Sequence, residues 1–275
     1  MPPEQATVVA RDTEAGLSLV IGASGALGAA ICAEISSTMG STMGPAMGPA
    51  VDTPSSPPSS LPSEAHHHAT SGVLALSRRS SPPLDYADEA TVAQAAQWVA
   101  DQCAAQGLPL RTLVVATGIL HGEVGQPERS WTQLDGDYLR QVFLVNAIGP
   151  ALVIKHFFPL LPKTGHVQAA FISAKVGSIG DNALGGWYGY RASKAALNQL
   201  VRTAAIELTR RNKASVCVAL HPGTVASALS EPFSKTGLHV RPASVAAAEL
   251  VAVLAQRLPS DTGQFFDYQG KLLPW

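Results

Sequence analysis

Charge is scarce in this chain of 275 residues. Asp, Glu, Lys and Arg together make up 14 % of it, against about 25 % in an average soluble domain. Apolar residues reach 46 %, so a mainly disordered chain is excluded and a compact, core-rich globule is expected. The 19 basic residues nearly cancel the 20 acidic ones. No net field then draws the protein to nucleic acid or to an anionic membrane.

Cysteine is almost missing. Cys32, Cys103 and Cys217 are far apart and odd in number, which offers neither a disulfide framework nor a zinc ligand set and fits a reducing compartment. Cys32 and Cys217 lie in apolar runs and read as small buried hydrophobes. No apolar run reaches the roughly eighteen residues of a membrane span. The first residues carry Glu4, Asp12 and Glu14 against Arg11 and have no apolar signal-peptide core. A cytoplasmic protein is the expectation.

One stretch differs from the rest. Between Ser36 and Ser71, half of the 36 residues are Ser, Pro or Gly, and only Asp52 and Glu64 are charged. It opens with an imperfect repeat, Ser37-Thr38-Met39-Gly40 followed by Ser41-Thr42-Met43-Gly44. Such a segment has no face to bury and reads as a flexible insertion at about 36–71. His66, His67 and His68 fall inside it, but three consecutive imidazoles do not close a metal site alone. No metal site is expected.

The remaining chain alternates between two kinds of segment. Short apolar runs at 17–21, 73–77, 110–116, 168–173, 215–220 and 264–267 read as strands, and a very short one is expected around Leu84. Longer periodic segments at 26–35, 88–106, 135–161, 188–211 and 244–258 read as helices, with Asp88 at one helix entry. Alternation of this kind predicts an α/β fold, a single doubly wound parallel sheet of the Rossmann type with helices on both faces. Ligands of such sheets bind at the carboxyl ends of the strands.

The first strand runs into Gly22-Ala23-Ser24-Gly25-Ala26-Leu27-Gly28 and then a helix. Small residues there let the backbone turn tightly and set amide donors against a phosphate, which points to a dinucleotide. The second strand ends in Ser77-Arg78-Arg79-Ser80, with no acidic residue between Gly72 and Pro83. Arginine suits a ribose 2′-phosphate where a carboxylate would take the free hydroxyl, so NADP(H) is favoured over NAD(H). Lys194 follows Tyr190 by four positions, on one helix face. An ammonium near a phenol favours the phenolate and should lower the tyrosine pKa, suiting it to proton exchange with a carbonyl or alcohol.

With these motifs in place, the chain resembles the short-chain dehydrogenases/reductases, within them the C-factor-like, carbonyl-reductase-like branch. The most specific matches are Gly177 to Asn182, Gly185 to Tyr188, Tyr190 to Asn198, His221 to Val225 and Gly263 to Tyr268. The resemblance implies Tyr190 as general acid in reduction and base in oxidation, and Lys194 as holder of the nicotinamide ribose. It implies Asn146 as support for a proton relay through water and Lys194. Asp85 and Tyr86 would lie near the adenine, and Gly118 would allow close cofactor approach. Pro222, Gly223 and Val225 would flank the nicotinamide, and His121, Trp187 and residues 227–233 would border the substrate. Helix faces at 151–161 and 192–208 would make a homodimer or homotetramer, although core packing explains them equally.

Three positions depart from the family pattern. Ala26 stands where the glycine motif has Gly, and Val115-Ala116-Thr117-Gly118 replaces Asn-Asn-Ala-Gly. The usual Ser-Ser pair is Ser173-Ala174, so the carbonyl-orienting serine is Ser173, one residue early, or Ser178. The expected activity is hydride transfer between NADP(H) and a small carbonyl or secondary alcohol. The alternative is a weakly or non-catalytic dinucleotide-binding protein with a signalling or interaction role, for which Ala174 is the main support.

Overall fold

The computed structural model of the chain describes residues 14–40, 72–123, 125–231 and 240–275. Most of the expected insertion, with His66, His67 and His68, lies outside the described residues. Its first five residues are helical and continue the first helix.

Six apolar runs form one sheet. The strands are β1 (Leu17–Ile21), β2 (Val73–Leu76), β3 (Leu110–Val115), β4 (Val167–Ile172), β5 (Ser215–His221) and β6 (Phe265–Asp267). Every pairing is parallel, and the order is β2-β1-β3-β4-β5-β6. Parallel neighbours need crossovers, supplied by α1 (Ala26–Gly40), α2 (Glu89–Gln106), α3 (Gly136–Phe143), α4 (Gly149–Phe157), α5 (Tyr188–Arg211) and α6 (Ala243–Ala255). The doubly wound fold read from the sequence is the one observed.

Alternation along each strand splits the core in two. Leu19, Leu113, Phe171 and Ala219 face one side, where α2, α4 and α5 contribute Val99, Phe157, Leu197 and Val201. Val20, Val114, Ile172 and Val218 face the other, against Ile31 and Ile35 of α1 and Leu250 and Leu254 of α6. The apolar faces of α4 and α5 are thus spent largely on the core. Cys217 is buried in β5, whereas Cys32 is only half-buried.

Two expectations need correction. No strand forms at Leu84 among the described residues. The chain instead folds back over the end of β2: Leu84 N–H donates to Ser77 O (2.9 Å), and the Ser80 hydroxyl closes the turn on Ser77 O (2.7 Å). The Leu84 side chain plugs the core. The single helix expected over 135–161 is continuous but contains a π-helical stretch, Leu144–Ile148, between α3 and α4. Among the described residues, only Gly136–Leu160 is helical, long and apolar enough to cross a membrane, with a mean hydropathy of 1.5. Its buried Val142, Val153 and Phe157 pack into the protein, as a core helix does.

The helix entries follow local chemistry. Asp88 caps α2 by accepting from Ala90 N–H (3.0 Å), and Gly107, at φ 64°, ends it in the left-handed conformation. Asp135 caps α3 through Tyr138 N–H (2.8 Å).

The turn from β1 into α1 is set by close backbone packing. Gly22 has φ 93°, and its N–H reaches Leu76 O at 2.9 Å. A Cβ on Gly28 would stand 2.2 Å from Gly22 O, whereas one on Gly25 would meet the same atom at 3.4 Å. Gly28→Ala is therefore expected to cost about 3 kcal/mol or more, because backbone must move. Gly25→Ala should stay within about 1 kcal/mol. Urea denaturation of the two variants checks the contrast; equal midpoints would refute it.

Candidate functional site

The order of the sheet places a crevice where the connections from β1 and β3 diverge, at the carboxyl ends of the strands. Ser24, Gly25 and Ala26 are exposed at the start of α1. The first amides of a helix have no intrahelical acceptor, so this end is suited to an anion. Leu27 turns inward against the core, and Gly28 is buried beneath the turn. The methyl of Ala26 occupies the exposed rim of this turn and leaves the helix start open.

At the end of β2, the Ser77 hydroxyl accepts from Arg79 N–H (3.1 Å) and its N–H donates to the Ser80 hydroxyl (2.9 Å). Arg78 and Arg79 project from this turn and are exposed. Asp85 is also exposed, and its carboxylate accepts from Ala87 N–H (3.0 Å). Tyr86 is buried. Its ring lies so close to Gly149 that a Cβ there would stand 2.0 Å from it, and its hydroxyl reaches Thr117 Oγ1 at 3.1 Å. Burial raises its pKa.

The centre of the site is built where α5, the π-helical stretch and the chain after β3 meet. Asn146 is completely buried. Its Oδ1 accepts from Ile119 N–H (2.9 Å), and its Nδ2 donates to Ile119 O (2.9 Å) and to Ser193 Oγ (3.1 Å). A π-turn re-aims one side chain relative to a regular helix, and this one ties the chain beyond Gly118 to α5. Lys194 donates to Ile172 O (2.9 Å), at the end of β4. A Cβ on Gly118 would come within 3.4 Å of Lys194 Nζ and 3.5 Å of Asn146 Oδ1, so glycine keeps the approach to both open. Tyr190, Lys194, Asn146 and Gly118 are brought together.

One electrostatic expectation changes. Lys194 does not lower the tyrosine pKa here: burial pushes that of Tyr190 up, and the nearby Tyr138 adds to the rise. The ammonium is 5.9 Å from the centre of the Tyr190 ring and is itself desolvated, which lowers the Lys194 pKa to about 8. The phenol therefore keeps its proton.

Both candidate serines have hydrogen-bond partners within the protein. The Ser173 hydroxyl is buried and donates to Asn198 Oδ1 at 2.6 Å, so it is engaged within the core. Ser178 donates to Trp275 O and accepts from Asp181 N–H, both at 3.1 Å. The residue that packs beside Tyr190 is Ala174, together with Leu120 and the half-buried Val176, Trp187 and Leu229. This wall is apolar. His121 sits at its edge, with Nε2 2.9 Å from Ala228 O. Residues 232–233 of the expected substrate border lie outside the described residues.

Beyond β5, the Pro222–Val225 turn rests on a residue that the sequence pattern did not single out. Arg241 is buried, donates to Pro222 O (3.0 Å), stacks 3.8 Å over the Tyr268 ring and pairs with Glu249. Its backbone brackets the turn, with N–H to Thr224 O and its carbonyl accepting from Ala226 N–H, both 2.8 Å. Gly223 has φ 73°, and a Cβ there would crowd both the Tyr268 ring (3.1 Å) and the guanidinium (3.3 Å). Val225 is buried at this bridge. A lone arginine sixteen residues beyond a turn gives no local signal, because its partners come from three other segments.

Lys194 supplies a pH-dependent test. A buried ammonium with a pKa near 8 costs stability at full strength below that pH. The cost fades as pH rises towards the ordinary lysine value, because the unfolded chain then holds a proton that the folded one has released. Lys194→Met should therefore resist urea better than the wild type at pH 7, by up to about 3 kcal/mol before the lost hydrogen bond is subtracted. The gap should close between pH 8 and 10.5. A gap independent of pH would contradict a buried charge.

Comparison with known proteins agrees with this architecture. The family model described as short chain dehydrogenase matches residues 17–237. The C-signal protein of Myxococcus xanthus is 36 % identical over 148 residues, covering 53 % of this chain and 85 % of that protein. A 1-hydroxy-2-glutathionyl-2-methyl-3-butene dehydrogenase of Rhodococcus sp. (strain AD45) is 31 % identical over 188 residues, covering 68 % and 78 %. Among solved structures, carbonyl reductase Sniffer of D. melanogaster superposes with a TM-score of 0.68 at 18 % identity, covering 94 % of this chain and 99 % of that one. NADPH-bound carbonyl reductase from chicken fatty liver gives 0.69 at 21 %, covering 95 % and 94 %. Spanning most of the sheet and the Tyr190–Lys194 pair, the match places this chain in the short-chain dehydrogenase family of oxidoreductases.

Proposed function

We propose that the protein is an NADP(H)-dependent carbonyl reductase in which Tyr190 delivers the proton. The observation that carries this reading is the convergence of Tyr190, Lys194 and Asn146 on Gly118, at the strand ends that also hold the glycine turn. The residues present fit a dinucleotide. Gly22 and Gly28 leave no room for side chains in the turn, and the start of α1 is open to a pyrophosphate. Gly118 would admit a ribose beside Lys194, and the Pro222–Val225 turn, directly after the carboxyl end of β5, would flank a nicotinamide. Arg78 and Arg79 are exposed at the end of β2 and face no carboxylate within ion-pair distance among the described residues, which favours a 2′-phosphate.

When bound, the nicotinamide supplies or accepts the hydride. The chain contributes the proton path. Tyr190, held neutral by burial, can donate its hydroxyl proton to the oxygen of a substrate carbonyl as that oxygen gains charge. Lys194 holds positive charge near the phenolate left behind, and Asn146 fixes the backbone of Ile119 against α5. Leu120, Ala174, Val176, Trp187 and Leu229 give the space beside Tyr190 an apolar face, which suits an uncharged carbonyl substrate. A weakly or non-catalytic role is not favoured, because the three polar groups of a proton path are all in place.

Titration with NADPH and NADH, followed by fluorescence, is the primary test. Tighter binding of NADPH supports the reading, and failure to bind either dinucleotide defeats it. Tyr190→Phe should leave NADPH affinity unchanged and lower turnover of a probe such as 4-nitrobenzaldehyde by about a hundredfold or more. An unaltered rate would remove Tyr190 from the mechanism.

Ala174 packs beside Tyr190 with a methyl and offers no hydroxyl to a carbonyl there. Ala174→Ser adds one. Steady-state assays should show kcat rising about tenfold or more, since one donor at a developing oxyanion is worth at least that much. A decrease would mean that the apolar wall, and not a missing donor, sets the rate.

A further inference from the structure

Helix α5 begins in an unusual way. Its first turn carries Tyr190, yet the residue that caps it, Trp187, makes no side-chain capping bond and has φ 53°, ψ 44°. Trp187 is the only non-glycine residue with positive φ among the described residues. A left-handed backbone at a bulky residue costs on the order of 1–3 kcal/mol and persists only where the surroundings impose it. One residue from a distant loop contributes two contacts here.

Glu128 is 2 % exposed although it is a carboxylate. Both of its oxygens accept the Gly189 N–H, at 3.1 and 3.2 Å, and its backbone oxygen accepts the Trp187 N–H at 2.5 Å. A buried carboxylate is expensive unless hydrogen-bonded, and a helix N-terminus is where a negative charge is best accommodated. Glycine at 189 permits the approach, since a Cβ there would lie 3.1 Å from Glu128 Oε1, from Leu139 Cδ2 and from Tyr138 Cε1. The side chains ordered by this arrangement face each other, with the Trp187 ring edge-on to Tyr190 at 6.2 Å and 79°.

We infer that Glu128 is a positioning residue for the proton donor: it clamps the start of α5 through Trp187 and Gly189, and so fixes where Tyr190 and its indole neighbour stand. The inference builds on the proposed reductase activity, but the clamp itself does not require it. Positioning of this kind acts on the chemical step, because a small misplacement of a reacting group costs rate more than binding.

Three proteins test it: the wild type, Glu128→Ala and Glu128→Gln. They are compared by NADPH affinity, kcat on 4-nitrobenzaldehyde, and hydrogen exchange at the Gly189 amide. Glu128→Ala should lower kcat about tenfold or more, hold the NADPH Kd within about twofold, and speed Gly189 exchange while amides of β4 and β5 stay protected. Glu128→Gln keeps an acceptor and should recover most of both losses. A normal kcat in Glu128→Ala, or slow turnover and fast exchange persisting in a folded Glu128→Gln, overturns the clamp. Should Glu128→Ala not fold, Glu128→Gln decides alone: near-normal kcat and exchange support the clamp. If wild-type protein neither binds NADPH nor reduces the probe, the reductase reading fails, while Gly189 exchange still judges the clamp.

Discussion

A buried ammonium is the constraint on which the centre of this protein depends. Lys194 has lost nearly all of its hydration and keeps a hydrogen bond to Ile172 O at the end of β4. Removing an ion from water is unfavourable by several kcal/mol, so its surroundings must be prepared before the charge arrives. The parallel sheet supplies a fixed carbonyl, and α5 brings the lysine to it. Asn146 and Gly118 then set the chain after β3 at the right distance. The elements that make the core are the same ones that make the site.

That arrangement also explains the state of Tyr190. The sequence suggests a tyrosine eased towards phenolate by its neighbour. In the folded protein both groups are desolvated, and burial opposes charge on each of them. The site at rest therefore combines a phenol that retains its proton with an ammonium that is weakly held. This polarity suits donation, the requirement of reduction.

Much of this was legible in the residues, and the misses have physical causes. Periodicity located all six strands closely and all the main helices, because alternating burial leaves a mark at period two and helical burial at about 3.6. Gly22 to Gly28 and Tyr190 with Lys194 were visible because their chemistry is local. The strand at Leu84 was a false positive: a hydrophobe after two prolines packs equally well from a turn. Ser173 could not be assigned from spacing, since its direction depends on where the strand ends and on Asn198, 25 residues later. The packing of Tyr86 on Gly149 was not legible because nothing nearby in sequence announces it. Arg241 and Glu128 escaped notice because a buried charged residue is recognised by its partners, and theirs are remote.

Tyr86 also carries a wider consequence. Its ring rests on Gly149, three residues after Asn146, and its hydroxyl touches Thr117, one residue before Gly118. The segment that follows Arg78 and Arg79 is thus braced against the same backbone that frames Lys194. Communication between the two ends of the crevice then needs no moving domain, only a rigid aromatic strut.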